Sequence, residues 1–181
     1  MLQLVIPLED EKWDEEKQEF VEPETQTLQL EHSLVSLSKW ESKWTTPFIS
    51  RKDMTIEETI DYIKCMTLTP NVNPDVYTRL TSEHIDRVRN YIMAPMTATV
   101  FSKDSGGKGS REIVTAELIY YWMITLGIPF ECREWHLNRL ITLIRVCNIK
   151  NAPPKKRSKR EIMSRNAAIN AARRAQLNSR G

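Results

Sequence analysis

The sequence predicts a mainly α-helical protein of α+β type: a helical domain with a small N-terminal β element, a short β-hairpin and a basic C-terminal helix. Three observations carry this. Glycine is scarce, at 5 residues in 181. Most apolar residues recur at spacings of three and four, one face of a helix, while Thr27–His32 alternates with period two. Residues 151–181 hold nine Lys or Arg against a single acid, Glu161, a net of +8; with +2 on the whole chain, the first 150 residues carry −6. We divide the chain into a β element with an acidic loop (1–32), a helical core domain (33–150) and a basic linker with a C-terminal helix (151–181).

Along the chain, Leu2–Ile6 and Thr27–His32 have strand patterns. Between them nine acids fall within residues 9–24, with Trp13 and Phe20 among them. That segment reads as a solvated loop or hairpin tip, or as an acidic surface for a basic partner such as this protein's own tail. Leu34, Leu37, Trp40 and Trp44 make one helical face behind Ser33 as cap, and Pro47 bars continuation. Thr55 and Glu58 form a capping box for a helix whose stripe is Ile56, Ile60, Ile63 and Leu68. A helix over 82–94 turns Ile85, Val88, Ile92 and Met93 inward. Thr97–Phe101 and Arg111–Val114 are the arms of the expected hairpin.

The most apolar stretch runs from Glu117 to Asn148. From Leu118 to Leu126 only Thr125 is neither apolar nor aromatic. The run is about half of the roughly 20 residues a membrane-spanning helix needs, so it suits a buried helix or one that awaits a partner. Thr115 caps it, Gly127 ends it in a left-handed conformation, and Pro129 prevents its extension. A second helix from about Glu131 carries Leu137, Leu140, Ile141 and Ile144 on one side. Ser158 to Glu161 is a further capping box, opening a last helix that reaches about Gln176.

Catalytic and metal readings fail on spacing. Cys132, His136 and Cys147 fall on that second helix, but the two thiols are some 22 Å apart at about 1.5 Å per residue, too far for one ion. The loop over 104–110 has glycines and a lysine without the spacing of a phosphate loop, and no nucleophile elbow or paired carboxylates stand out. No catalytic residue, cofactor or metal is expected. Lys155, Lys156, Arg157, Lys159, Arg160, Arg165, Arg173 and Arg174 could neutralise phosphates, yet no aromatic residue lies among them for base stacking, so nucleic acid is a minor reading. Cysteine usage and the lack of a leader-like segment suggest a cytoplasm-like compartment.

Three features, Tyr120–Tyr121–Trp122, Gly127–Ile128–Pro129–Phe130, and Trp135–His136 followed by Leu140, Leu143 and Ile144, give the stretch a resemblance to the tail assembly chaperones of long-tailed, siphovirus-like bacteriophages. The resemblance implies a non-enzymatic protein of the host cytoplasm, absent from the mature virion. Such a protein coats the hydrophobic helices of the tape measure protein and recruits tail tube subunits. In many phages its gene is read in two lengths through a frameshift. The implied partners are the tape measure and tail tube proteins, with a homo-oligomer compatible and no membrane. Tyr121, Trp122, Phe130, Trp135, His136, Leu140, Leu143 and Ile144 then either form the core or line the partner groove. The alternatives are a structural virion protein, in the tail or the head-to-tail connector, and a nucleic-acid-binding accessory protein.

Overall fold

A computed structural model describes residues 1–10, 12–15, 18–51, 53–101, 113–153 and 159–177. The chain forms two units, Met1–Lys150 and Asn151–Gly181. The fold is mainly helical with a small antiparallel β element.

In the first unit, β1 (Leu2–Pro7) pairs antiparallel with a later strand, Thr25–Leu30, in register from Leu2 opposite Leu30 to Pro7 opposite Thr25. The period-two pattern sets the faces: Leu4, Ile6, Leu28 and Leu30 are fully buried, while Gln3, Val5 and Gln29 face outward. Between them β2 (Lys12–Asp14) and β3 (Glu19–Val21) form a separate small hairpin, which makes Thr25–Leu30 β4. Across that hairpin Trp13 and Phe20 meet edge to face, with ring centroids 4.9 Å apart.

Among the described residues, no strand is seen in the β-hairpin expected over 97–114. Thr97–Phe101 is irregular, and residues 102–112 lie outside the described residues. The expectation rested on a short β-prone run before a glycine-bearing loop, and Val100 is 90% exposed, so no buried face rewards strand pairing there.

α1 (Leu34–Trp44) starts where Ser33 Oγ accepts the Ser36 N–H, and it ends at Thr45 in the left-handed region. It serves two cores. Trp40 packs with β1, β4 and α2 (Ile56–Met66), while Leu34 and Leu37 pack with α4 (Ala116–Thr125) and α5 (Leu137–Asn151). The Trp40 indole N–H donates to the Glu58 carbonyl at 3.0 Å, and Phe48 packs against both clusters. α2 has the expected capping box, with Thr55 and Glu58 bonding reciprocally. Of the expected stripe Ile63 is buried and Ile60 half-buried, and Tyr62 and Met66 complete the buried face. Ile56 keeps phase with Ile63 but overhangs the core at the helix start, 74% exposed, and Leu68 lies beyond the helix end. A 3₁₀ turn, Pro74–Arg79, leads to α3 (Ser82–Met93). Val88 is buried and Ile85 and Ile92 are half-buried, whereas Met93 is 74% exposed, 100° off that stripe at the last helical position.

A polar clasp joins the two cores. His32 and Ser33, between β4 and α1, pair with His136 and Leu137 at the start of α5: Ser33 and His136 form an antiparallel bridge, and Leu137 N–H donates to the His32 carbonyl at 2.7 Å. The rings of His32 and His136 stand 5.1 Å apart, edge to face. His32 Nδ1 hydrogen-bonds the Tyr62 hydroxyl. His136 Nε2–H donates to the Tyr91 carbonyl at 3.0 Å, and its Nδ1 accepts the Asn138 N–H at 3.3 Å.

The second unit holds α6 (Lys159–Leu177), and every described side chain on it is exposed. It begins two residues before the expected start, and the proposed cap, Ser158, lies outside the described residues.

Burial, with His136 beside it, pushes His32 from 6.5 down to about 3, and burial also lowers His136. In the unfolded chain His32 takes its proton at its ordinary value; the folded chain refuses it until far lower pH. Stability is therefore full above 6.5 and is lost as pH falls towards 3, by about 1.4 kcal/mol per pH unit for one such group. Urea unfolding at pH 5.0 should give a stability about 2 kcal/mol below that at pH 7.5, and His32→Gln should flatten the difference. Glu58, lowered by its hydrogen bond from the Thr55 N–H, acts only below its ordinary 4.5 and leaves this window to the histidines.

Candidate protein-docking surface

α4 reads Ala-Glu-Leu-Ile-Tyr-Tyr-Trp-Met-Ile-Thr, and its ends are fixed by local chemistry. At the start, Thr115 Oγ accepts the Leu118 N–H. The buried Glu41 carboxylate reaches the same end, accepting the Ala116 N–H at 2.7 Å through one oxygen and the Phe48 N–H at 2.8 Å through the other. A carboxylate there satisfies an orphan donor and complements the helix dipole. At the far end the Gly127 N–H donates to the Ile124 carbonyl at 3.2 Å and the Ile128 N–H to the Met123 carbonyl at 2.9 Å. This is a Schellman turn, and it needs the positive φ of 65° at Gly127. Ile128 follows into the core and Pro129 redirects the chain.

Between those ends Ala116, Ile119 and Met123 are fully buried. The opposite face carries Glu117, Tyr121 and Ile124, at spacings of four and three; Tyr121 is 60% and Ile124 73% exposed. A helix apolar nearly all round is thus packed on one side only. A 3₁₀ turn, Phe130–Glu134, extends the apolar surface: Phe130 is half-exposed, its ring 5.7 Å from Tyr120, with the Arg133 guanidinium 4.5 Å from its ring centre.

The second helix does not start near Glu131. After the 3₁₀ turn, Trp135 is extended, because the next residue pairs with Ser33, and α5 begins at Leu137. Cys132, His136 and Cys147 therefore do not share a helix, and no group of three His, Cys, Asp or Glu among the described residues could hold a metal ion. Asn138 ties α5 to α3 by donating from Nδ2 to the Ile92 and Ala94 carbonyls, both at 2.8 Å.

The eight residues that the sequence could assign to core or groove now separate. His136, Leu140 and Ile144 are buried: they are core. Trp122, Trp135 and Leu143 are half-buried at the margin, and the Arg139 guanidinium lies 4.2 Å from the Trp135 ring centre. Tyr121 and Phe130 are exposed. Ile124, the most exposed apolar residue of this face, was missed; its phase with Glu117 and Tyr121, opposite Ala116 and Met123, was the available signal. Of the basic residues, Arg160, Arg173 and Arg174 are exposed on α6, as is Arg165; Lys159 opens that helix; and Lys155, Lys156 and Arg157 lie outside the described residues. No helix among the described residues is long and apolar enough to cross a membrane.

Set against protein-family models, curated proteins and solved structures, the chain matches none.

The division into core and surface has a measurable consequence. Leu140→Ala should cost about 2–5 kcal/mol in urea unfolding, whereas Ile124→Ser should change stability by no more than about 0.5 kcal/mol.

Proposed function

We propose that this protein is a non-enzymatic tail assembly chaperone of a long-tailed bacteriophage. In this reading it works in the host cytoplasm, covers hydrophobic helices of the tape measure protein, promotes addition of tail tube subunits, and is left out of the finished particle. The observation that carries the reading is the outer face of α4, where Tyr121 and Ile124 stay exposed on a helix whose inner face is fully packed. Apolar surface held this way is favourable only when something apolar covers it. A chaperone for apolar helices needs such a face and needs no catalytic group. The resemblance of residues 117–148 to that family supplies the biological context.

The test is co-expression with an apolar helical fragment of the tape measure protein. The wild-type chain should keep the fragment soluble and co-purify with it. The double variant Tyr121→Ser/Ile124→Ser should keep its unfolding midpoint and lose the fragment. Purified particles should lack the chain. Its retention in particles at fixed stoichiometry would make it a virion subunit and end the chaperone reading.

A further inference from the structure

A pocket of about 300 Å³ opens between α2 and α3. Tyr62, Ile63 and Val88, all core residues, line it together with Phe48 and Ile92. Protein interiors are normally packed to crystal-like density, so apolar walls around a space this size forgo contacts that an occupant would supply. The pocket continues into a depression of about 240 Å³ that shares Met54, Thr59, Ile85 and Arg89 with it and reaches Ser82 and the exposed Ile56. From Ile92 to Ser82 the α3 wall is about 15 Å long. A groove of that length suits two to three turns of helix better than a compact small molecule.

The groove also carries charge with unused hydrogen-bonding capacity. Among the described residues Arg89 pairs with Asp86, at 2.9 Å, in a pair exposed on both sides (65% and 64%), and such a pair contributes little. Arg51 bonds Glu58 through Nη1 at 2.7 Å and the Asp53 carbonyl through Nε at 3.0 Å, two of the five donors a guanidinium has. Asp53 lines the same pocket, and Asp86 lines the depression that continues it.

We propose that the α2–α3 groove receives a short amphipathic helix of a partner protein. One large apolar side chain fills the deep end, and a carboxylate on the same helix bonds Arg89. Apolar anchors give such grooves their affinity, and the charge sets the orientation of the bound helix. The groove shares no residue with the outer face of α4, so its occupancy stands or falls separately from the chaperone reading.

Two fluorescent alanine-based helical peptides test this, each with two leucines one turn apart. One carries Glu a turn beyond them and the other carries Lys there; binding to the full chain is read by anisotropy. The Glu peptide should bind about tenfold more tightly than the Lys peptide. Arg89→Glu should reverse that preference. Thr59→Trp, which fills the groove, should abolish binding, whereas Tyr121→Ser/Ile124→Ser should leave it unchanged. The proposal is overturned if neither peptide binds, if both bind equally to the wild-type chain, or if a folded Thr59→Trp variant binds as well as the wild type. Should Thr59→Trp fail to fold, the charge reversal at Arg89 decides alone: an unaltered preference overturns the proposal.

Discussion

Everything in the first unit depends on a short polar clasp between two hydrophobic cores. One core gathers the β1–β4 pair with α2 and α3, the other gathers α4 with α5, and α1 contributes a face to each. A shared helix alone would let the two halves shift against one another. The Ser33–His136 bridge, the Leu137-to-His32 hydrogen bond and the contact of the two imidazoles fix their register. Both nitrogens of His136 are committed, one donating and one accepting, which holds a single neutral tautomer. The clasp is buried, and the His32 Nδ1, the Ser33 hydroxyl and both nitrogens of His136 have partners, the condition under which a polar seam specifies one arrangement instead of weakening the core. Specificity at this seam is gained at the expense of acid tolerance, because a second proton on His136 would face the Asn138 N–H and not an acceptor.

With the cores fixed, the position of α4 follows. Its inner face is committed to the second core, its first N–H groups are taken by Thr115 and Glu41, and its last turn is closed by Gly127. The helix cannot roll to bury Tyr121 or Ile124 without breaking these ties. Its excess of apolar residues, which exceeds what one buried face requires, therefore has to lie on the surface. That constraint, more than composition, makes the outer face a candidate for binding.

Much of this was legible in the sequence. The helix caps at Ser33, Thr55 and Thr115 and the break at Gly127 are encoded by residue type at fixed offsets, and all four are present. The strands of the β1–β4 pair followed from alternation. Elsewhere tertiary context decided. Ile56 is in phase with the core and still exposed, since phase says nothing about whether a neighbour extends far enough to cover a helix end. The 97–101 segment has β-branched residues but no buried side. A hairpin is found in the acidic segment, where Trp13 and Phe20 pair across the strands. His136 resembled a site residue because it stands beside Trp135 in a family-like motif. Its use as a joint with His32, some hundred residues earlier, is a long-range pairing that local pattern cannot reveal.

The same rigidity bears on how the outer face of α4 would bind. Association costs free energy for every side chain and segment ordered at the interface, so a surface already held in place keeps more of its apolar gain as affinity. α4 is anchored at both ends and along one side, and Tyr121 brings a large contact area with few rotatable bonds. Phe130 is restrained by Tyr120 and by the Arg133 guanidinium. What such a face lacks is directional chemistry: Glu117 is the one charged side chain in line with Tyr121 and Ile124 on α4. A rigid, apolar, weakly directional surface discriminates poorly between one apolar helix and the next. That is a defect in a partner-specific receptor, but an advantage in a protein that must cover many similar helical segments of a long client.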